Sequence, residues 1–443
     1  LEYLLFIAYL VLFAWLVTRV KFFTTTGLTN SQLIIIFLLK VMAGIFYGWI
    51  GLYYGSLAQM QDTWRFHAES IQEYNLLYTS PSEYLTNIFR DPYGAGFGGF
   101  FAGTDSYWND LKSNILIKLF SVFNIFSFGN YYVNVIFYSF ITLFGALAIF
   151  KVMNDAFPGK RMNILLATFL VPSFLYWTSG LHKEGLIFTG ISLIIYSIYF
   201  GSIEKKWGFK RISALLTGLL LLLFLRNFIL VIIIPAIIAW LAATRWPKYG
   251  LAIFTVVYVF SGIFFFVAKY ADSRLDFPQA VVNKQQEFIK LKGGNSSIPI
   301  KKLEPNAVSF LKNTPQAINL STIRPYPSDV RHILSLAASL EINLLLLLFL
   351  VFIVWHRNGL KSRNLIYFCI FFSFSVLLAI GFSVNNLGAI VRYRSIIMPF
   401  LIVPMLASLD WSRVARIFSD NIKYKNNINN ILLLFIFSTV FYL

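Results

Sequence analysis

The sequence predicts an all-α polytopic membrane protein with about 12 transmembrane helices and two long extracytoplasmic loops. Three observations predict it. Of 443 residues, 58% are hydrophobic, and the mean hydropathy is +0.69. Only 13% are charged, about half the share of an ordinary soluble domain. The apolar residues gather in runs of about 20, the length that crosses a hydrocarbon core, whereas a transmembrane barrel alternates in segments of about ten. This surface argues against a water-soluble enzyme, a disordered chain and a nucleic-acid-binding domain. The one cysteine, Cys369, lies inside an apolar run, so there is neither a disulfide framework nor a cysteine-based metal site.

The expected spans follow in order: 2–18, 32–55, 131–150, 162–179, 185–201, 212–225, 228–244, 250–269, 336–355, 364–383, 395–409 and 430–443. The first is too long for a signal peptide and has no basic flank or small-residue cleavage site. The sixth and seventh form one apolar stretch interrupted at Arg226-Asn227. We read a tight hairpin with Arg226 at its turn; one long tilted helix is the alternative, and it would invert everything downstream.

The charges bear on this choice. The short loops assigned to one side carry Arg19 and Lys21, Lys151, Lys160 and Arg161, Lys205 to Arg211, Arg245 and Lys248, Arg357 to Arg363, and Arg413 to Lys425. Their acids are only Asp155, Glu204, Asp410 and Asp420. A consistent excess of Lys and Arg marks cytoplasmic loops, so the +18 net charge reads as topology and calls for no nucleic acid. Both termini are then expected outside.

The chain divides into an N-terminal transmembrane part, 1–269, which includes the extracytoplasmic loop 56–130; a second extracytoplasmic loop, 270–335; and a C-terminal transmembrane part, 336–443. In the first loop we expect helices over Trp64–Leu77 and Lys112–Phe126, the latter apolar enough to lie on the membrane surface. The second loop is polar and suits a cap or lid. No internal repeat is visible, which counts against a repeat-built transporter.

Four places can carry chemistry. Asp62 and His67 follow the second span at the outer interface. A carboxylate there can act as general base for an incoming hydroxyl, although an isolated loop acid is ordinarily just solvated. Ser179-Gly-Leu-His-Lys-Glu-Gly185 joins the fourth and fifth spans. His182, Lys183 and Glu184 are three ionisable groups in a connection too short to leave the membrane boundary, a costly placement that marks function more often than a polar turn. There Lys183 and His182 can hold a phosphate, while Glu184 neutralises them or serves as a second base. Arg226 breaks an apolar stretch and needs an acid or an anionic headgroup as partner, or must snorkel. Arg392-Tyr393-Arg394 lies at the outer boundary, where charge topology gives no reason for arginine. Two arginines at i, i+2 can grip phosphate oxygens from two directions, with Tyr393 between them.

The topology brings these groups to one interface. Cations with one or two carboxylates suit a lipid-linked phosphate: the cations stabilise charge on a departing phosphate, and the carboxylate deprotonates an acceptor. The pattern resembles the GT-C superfamily of integral-membrane glycosyltransferases and the bacterial polysaccharide polymerases of the Wzy and EpsG type. The likeness rests on Asp62, on Pro172-Ser-Phe-Leu-Tyr-Trp-Thr-Ser-Gly-Leu-His-Lys-Glu184, and on Arg392-Tyr-Arg394 with Pro399. It implies a GT-C-like fold and a polyprenyl-phosphate-linked or diphosphate-linked sugar donor. It also implies a glycan, lipid or protein acceptor, Asp62 as base, Arg392 and Arg394 on the donor phosphate, and inversion at the anomeric carbon. Here the acid follows the second span rather than the first and is single rather than paired, closer to the EpsG-like layout.

The expected function is therefore a glycosyltransferase at the outer face of a bacterial inner membrane. Asp62, Glu184 and His67 are its catalytic candidates; His182, Lys183, Arg226, Arg392, Arg394 and Tyr393 are its substrate-binding candidates. A polysaccharide polymerase or ligase is the alternative enzyme, and an acyltransferase with His182 as base is another. A transporter, lipid flippase or assembly subunit is the non-enzyme alternative, for which the in-span charges Lys40 and Glu341 speak. No cofactor is indicated. A divalent cation stays open, without clear metal-ligand spacing, should Asp62 and Glu184 meet.

Overall fold

The computed structural model describes residues 2–53, 62–94, 100, 106–291, 296–356 and 362–413. Helices α1 (Glu2–Val17) and α2 (Lys21–Thr24) lead into α3 (Asn30–Tyr53). The first long connecting segment forms α4 (Asp62–Thr79), α5 (Pro81–Thr86) and α6 (Tyr107–Ser127). Then come α7 (Tyr131–Ala156), α8 (Arg161–Phe169), α9 (Pro172–Ser179), α10 (Lys183–Glu204), α11 (Phe209–Leu225), α12 (Asn227–Arg245) and α13 (Gly250–Val267). The second long segment carries α14 (Phe277–Lys290) and α15 (Ala307–Ile318). Helices α16 (Ile333–Trp355), α17 (Arg363–Ser383), α18 (Leu387–Ser395) and α19 (Met398–Ser408) follow.

Seven of these helices, α3, α7, α10, α12, α13, α16 and α17, are long and apolar enough to cross a membrane. The number is nine if the bent pairs α8–α9 (53°) and α18–α19 (61°) each count as one span. The other three of the twelve expected spans fall on the shorter helices α1 and α11 and on 430–443, which lies outside the described residues. The chain is all-α and carries the helices of an integral membrane protein.

Burial orders the bundle. Helix α7 is apolar on every face, and 83% of its most hydrophobic stretch is buried, the signature of a helix enclosed by others. Asn130 starts it by accepting from the amides of Tyr132 and Val133 at 3.0 and 3.1 Å. Helix α10 lies against α7 and α11. A Cβ on Gly218 would sit 2.7 Å from the Gly190 carbonyl oxygen, so α10 and α11 approach backbone to backbone. By contrast only 11% of the corresponding stretch around α13 is buried. Its exposed Val256, Val259, Phe260, Ile263 and Phe264 make an apolar surface that suits lipid and not water.

The two ends of the bundle differ. One end gathers the basic short connections: Arg211 pairs with Glu204 at 2.5 Å, Tyr199 donates to Asp155 at 2.8 Å, and Ser362 donates to the Ala156 carbonyl at 2.7 Å. Trp240 of α12 stacks on Tyr199 at this end (6.2 Å), whereas Arg226, between α11 and α12, reaches Glu184 at the other. The chain therefore reverses at Arg226, as the hairpin reading expects.

The long segments collect at the Arg226 end. Helices α4 and α6 are tied by Lys118–Glu73 at 2.5 Å and Asn124–Ser70 at 3.0 Å. We expected α6 to lie on the membrane surface. Its Leu116, Ile117, Phe120 and Phe123 are buried in the core, while Val122 and Phe126 stay exposed on the opposite face. The apolar face has found protein because α7 follows it after a short turn. In the second segment Gln285 of α14 donates to the carbonyls of Phe382 and Lys301 (3.0 and 3.2 Å), and a short bridge joins Ser297 to Asn386.

Candidate functional site

A broken span delivers the central motif. Helix α9 is eight residues long, with Pro172 at its first position, where the missing N–H costs nothing. Glu341 of α16 accepts from the Ser173 amide at 2.6 Å, at the positive end of α9. Lys40 of α3 donates to the Thr178 carbonyl at 2.7 Å and reaches Ser179 Oγ at 3.3 Å, at the negative end. The two in-span charges that spoke for a transport path thus close the two ends of one short helix. A Cβ on Gly44 would lie 2.6 Å from the Ser179 carbonyl oxygen, so only glycine lets α3 approach this closely.

Beyond α9 the backbone extends through Gly180, and His182 takes the N-cap position of α10. Glu184 falls in the first turn, where a carboxylate is favoured by the helix dipole. Both side chains are fully buried. Glu184 Oε2 binds His182 Nδ1, and its Oε1 takes Arg226 Nη2 at 3.1 Å and lies 3.5 Å from Arg392 Nε. Arg392 Nη1 also reaches Asp62 Oδ2 at 3.2 Å. His182 Nε2 lies 3.6 Å from the same oxygen and finds no hydrogen-bond partner among the described residues. Asp62, with 46% of its side chain exposed, is the accessible carboxylate of the cluster. His182 first, and then Arg392, hold it well below the usual carboxylate range, against the opposing effect of its partial burial.

Aromatic rings frame the cations. Arg226 lies 4.1 Å over the Tyr393 ring, and Arg392 donates to Tyr393 Oη at 3.3 Å. Trp177 of α9 sits 5.8 Å from Arg392, and Phe66 of α4 lies 5.8 Å from the Lys183 ammonium. Such faces favour cations in a desolvated setting.

Seven of the nine sequence candidates therefore converge: Asp62, His182, Lys183, Glu184, Arg226, Arg392 and Tyr393. His67 and Arg394 do not. Five positions along α4 bring His67 round to another face, where it is buried edge-on against Trp64 and Tyr131. Burial pulls its pKa down to about 4. The i, i+2 reading of the arginines assumed an irregular connection, but Arg392 and Arg394 lie in helix α18, where two positions differ by about 200°. Arg394 points the other way, is buried, and donates to the carbonyls of Ser321 and Arg324 at 3.0 and 2.9 Å. It fastens the second long segment instead.

The structure adds residues that the sequence did not rank. Burial first, and then the charges of Lys183, Lys284 and Arg226, bring the pKa of Lys112 on α6 down to about 8, against the opposing charge of Glu287. Phe288 of α14 packs edge-on to Tyr393 at 6.5 Å. No spacing rule links these residues to the motif, because they come from separate segments. Asp62 and Glu184 both face Arg392, whose guanidinium takes the place between them that a cation would need. Among the described residues no group of three acid, His or Cys side chains is arranged to hold a metal.

An exposed carboxylate beside several cations, at the end of an apolar bundle, can hold a phosphate and accept a proton within one site. Comparison of the chain with protein-family models, with curated proteins and with solved structures gave no match.

Proposed function

We propose that this chain is a membrane glycosyltransferase that moves a sugar from a polyprenyl-phosphate-linked donor to a glycan, lipid or protein acceptor at the extracytoplasmic face. One observation carries the reading. The half-exposed Asp62 shares Arg392 with a buried Glu184, beside Lys183 and Arg226, at the bundle end that lacks the basic short loops. In this reading Arg226, Arg392 and Lys183 neutralise the departing phosphate, and Tyr393 fixes both guanidinium groups. Asp62 takes the proton of the acceptor hydroxyl as that oxygen attacks the anomeric carbon and the sugar–phosphate bond breaks, with the electron pair leaving on phosphate. At rest the ion pair with Arg392 makes Asp62 a weak base. A donor phosphate that draws Arg392 toward itself loosens that pair and raises the basicity when it is needed. By resemblance the displacement inverts the anomeric centre.

A polysaccharide polymerase is the second reading, favoured by helix α14, whose Phe288 walls the site with groups able to border a longer acceptor. The transporter reading loses its main support, since Lys40 and Glu341 are engaged by α9. The test is the surface-glycan profile of a deletion strain complemented with wild type or Asp62→Asn, with membrane levels checked by blot. We expect Asp62→Asn at wild-type level with the deletion's profile. A glycan lacking one sugar then identifies a transferase, and single repeat units without long chains identify a polymerase. A wild-type profile from Asp62→Asn would remove Asp62 from catalysis.

A further inference from the structure

Both ring nitrogens of His182 turn to carboxylates. The side chain is fully buried, with the Phe66 ring of α4 at 5.7 Å and Tyr138 of α7 donating to the His182 backbone carbonyl. Nδ1 binds Glu184 Oε2. Arg226 and Arg392, at 3.1 and 3.5 Å, pair with Glu184 as a carboxylate. A carboxylate only accepts, so the proton between the two belongs to Nδ1. The bond made by one imidazole nitrogen fixes the state of the other, which leaves Nε2 of the neutral ring as a bare lone pair. That nitrogen is buried, finds no hydrogen-bond partner among the described residues and lies 3.6 Å from Asp62 Oδ2. Two acceptors thus face each other, a costly arrangement that one proton between them would relieve. A phosphate has no place on this ring, since one nitrogen is committed to Glu184 and the other faces Asp62.

We infer that His182 is a proton relay behind Asp62, held for that task by Glu184. The inference rests on the glycosyltransferase reading above and deepens it, because Asp62 paired with Arg392 is a weak base. Once a donor phosphate draws Arg392 away, Oδ2 is left facing Nε2. The acceptor O–H bond then breaks, its electron pair going to the anomeric carbon, as an O–H bond forms at Oδ2. That bond breaks in turn as an N–H bond forms at Nε2. Glu184 balances the imidazolium, as a carboxylate orients and supports the base in a catalytic triad. After turnover the proton returns through Asp62, whose side chain is 46% exposed, to water. His182 acts through Asp62 and is a positioning residue. The groups set around it are Asp62 from α4, Glu184 from its own helix, Tyr138 from α7, and Arg392 of α18, which reaches both carboxylates.

Chemical rescue tests this, because the site opens to the outer face. The deletion strain carrying His182→Gly, with membrane levels checked by blot, is expected to incorporate labelled sugar into surface glycan about a hundredfold more slowly than with wild type. Imidazole in the medium is expected to restore the rate about tenfold. Pyrazole, a ring of the same size and a far weaker base, should not. Equal effects of the two rings, whether both restore the rate or neither does, overturn the relay, as does a wild-type rate from His182→Gly. Nitrogen-15 NMR of the histidine-labelled full chain in nanodiscs reads the resting ring directly, even if His182→Gly folds poorly. We expect a proton on Nδ1 and a bare Nε2 at about pH 8. A ring with its proton on Nε2, or with both protons at rest, has no room for another there and overturns the inference. Loss of synthesis in Asp62→Asn but not in His182→Gly removes the relay and leaves the glycosyltransferase reading standing. A deletion that changes no glycan removes that reading and the relay with it.

Discussion

Glu184→Gln isolates what the buried charge network contributes. The replacement is nearly isosteric, so it opens no cavity, and its whole effect is the loss of one negative charge. That charge is fully buried and faces three cationic or protonatable partners: His182, Arg226 at 3.1 Å and Arg392 at 3.5 Å. Removing one member of a buried ion pair costs about 3–5 kcal/mol, because the partners remain desolvated. Scaled to a chain of this length, each kcal/mol moves the melting midpoint by about 1–2 °C, which gives a fall of roughly 3–10 °C. Asp62→Asn makes the matching control. Its carboxylate is half-exposed, and pairs of that kind contribute about 1 kcal/mol or less, so its midpoint should move by about 2 °C at most. Intrinsic tryptophan fluorescence of the detergent-purified protein reads both midpoints. A Glu184→Gln protein that melts with wild type, or that melts no lower than Asp62→Asn, would show that the network does not hold this end of the bundle together.

Two further outcomes follow. Because the His67 pKa is lowered to about 4 from an ordinary value of 6.5, the unfolded chain binds the proton first. Stability should therefore fall as pH drops from about 6.5 toward 4 and level off below that, and His67→Gln should flatten this part of a pH–melting profile; an unaltered profile would place the titration elsewhere. Gly44→Ala forces a Cβ against the Ser179 carbonyl at 2.6 Å, an overpacking of about 1–3 kcal/mol. It should lower glycan synthesis at normal membrane levels, and full complementation would mean that α3 can retreat without moving His182.

What was legible in the sequence follows from the range of each physical rule. Runs of apolar residues report helices of membrane length, and nearly every expected span meets an apolar helix, because hydropathy is a local property. Asp62, the His182–Glu184 triplet, Arg226 and Arg392 were legible for a related reason: ionisable groups at an apolar boundary are costly wherever they sit. The role of Arg394 was not legible, since two arginines at i, i+2 converge in an irregular connection and diverge in a helix, and it is the helix α18 that decides which holds. That α6 would bury one apolar face on α7 was not legible, because an apolar face accepts lipid or protein equally, and sequence does not say which arrives first. Lys40 and Glu341 read as a path because nothing local reveals that the half-helix between them presents both of its ends.

The pair Asp62–Arg392 joins positions 330 residues apart. A chain inserted from its N-terminus completes α3, α4 and the α9–α10 corner long before α18 exists. Through most of synthesis, Glu184 has Arg226 as its guanidinium partner, and Asp62 has none from α18. The closing of the site is therefore a late event in assembly. A chain whose synthesis stops before residue 387 would carry the acid and the histidine and still lack the group that, in our reading, grips the donor.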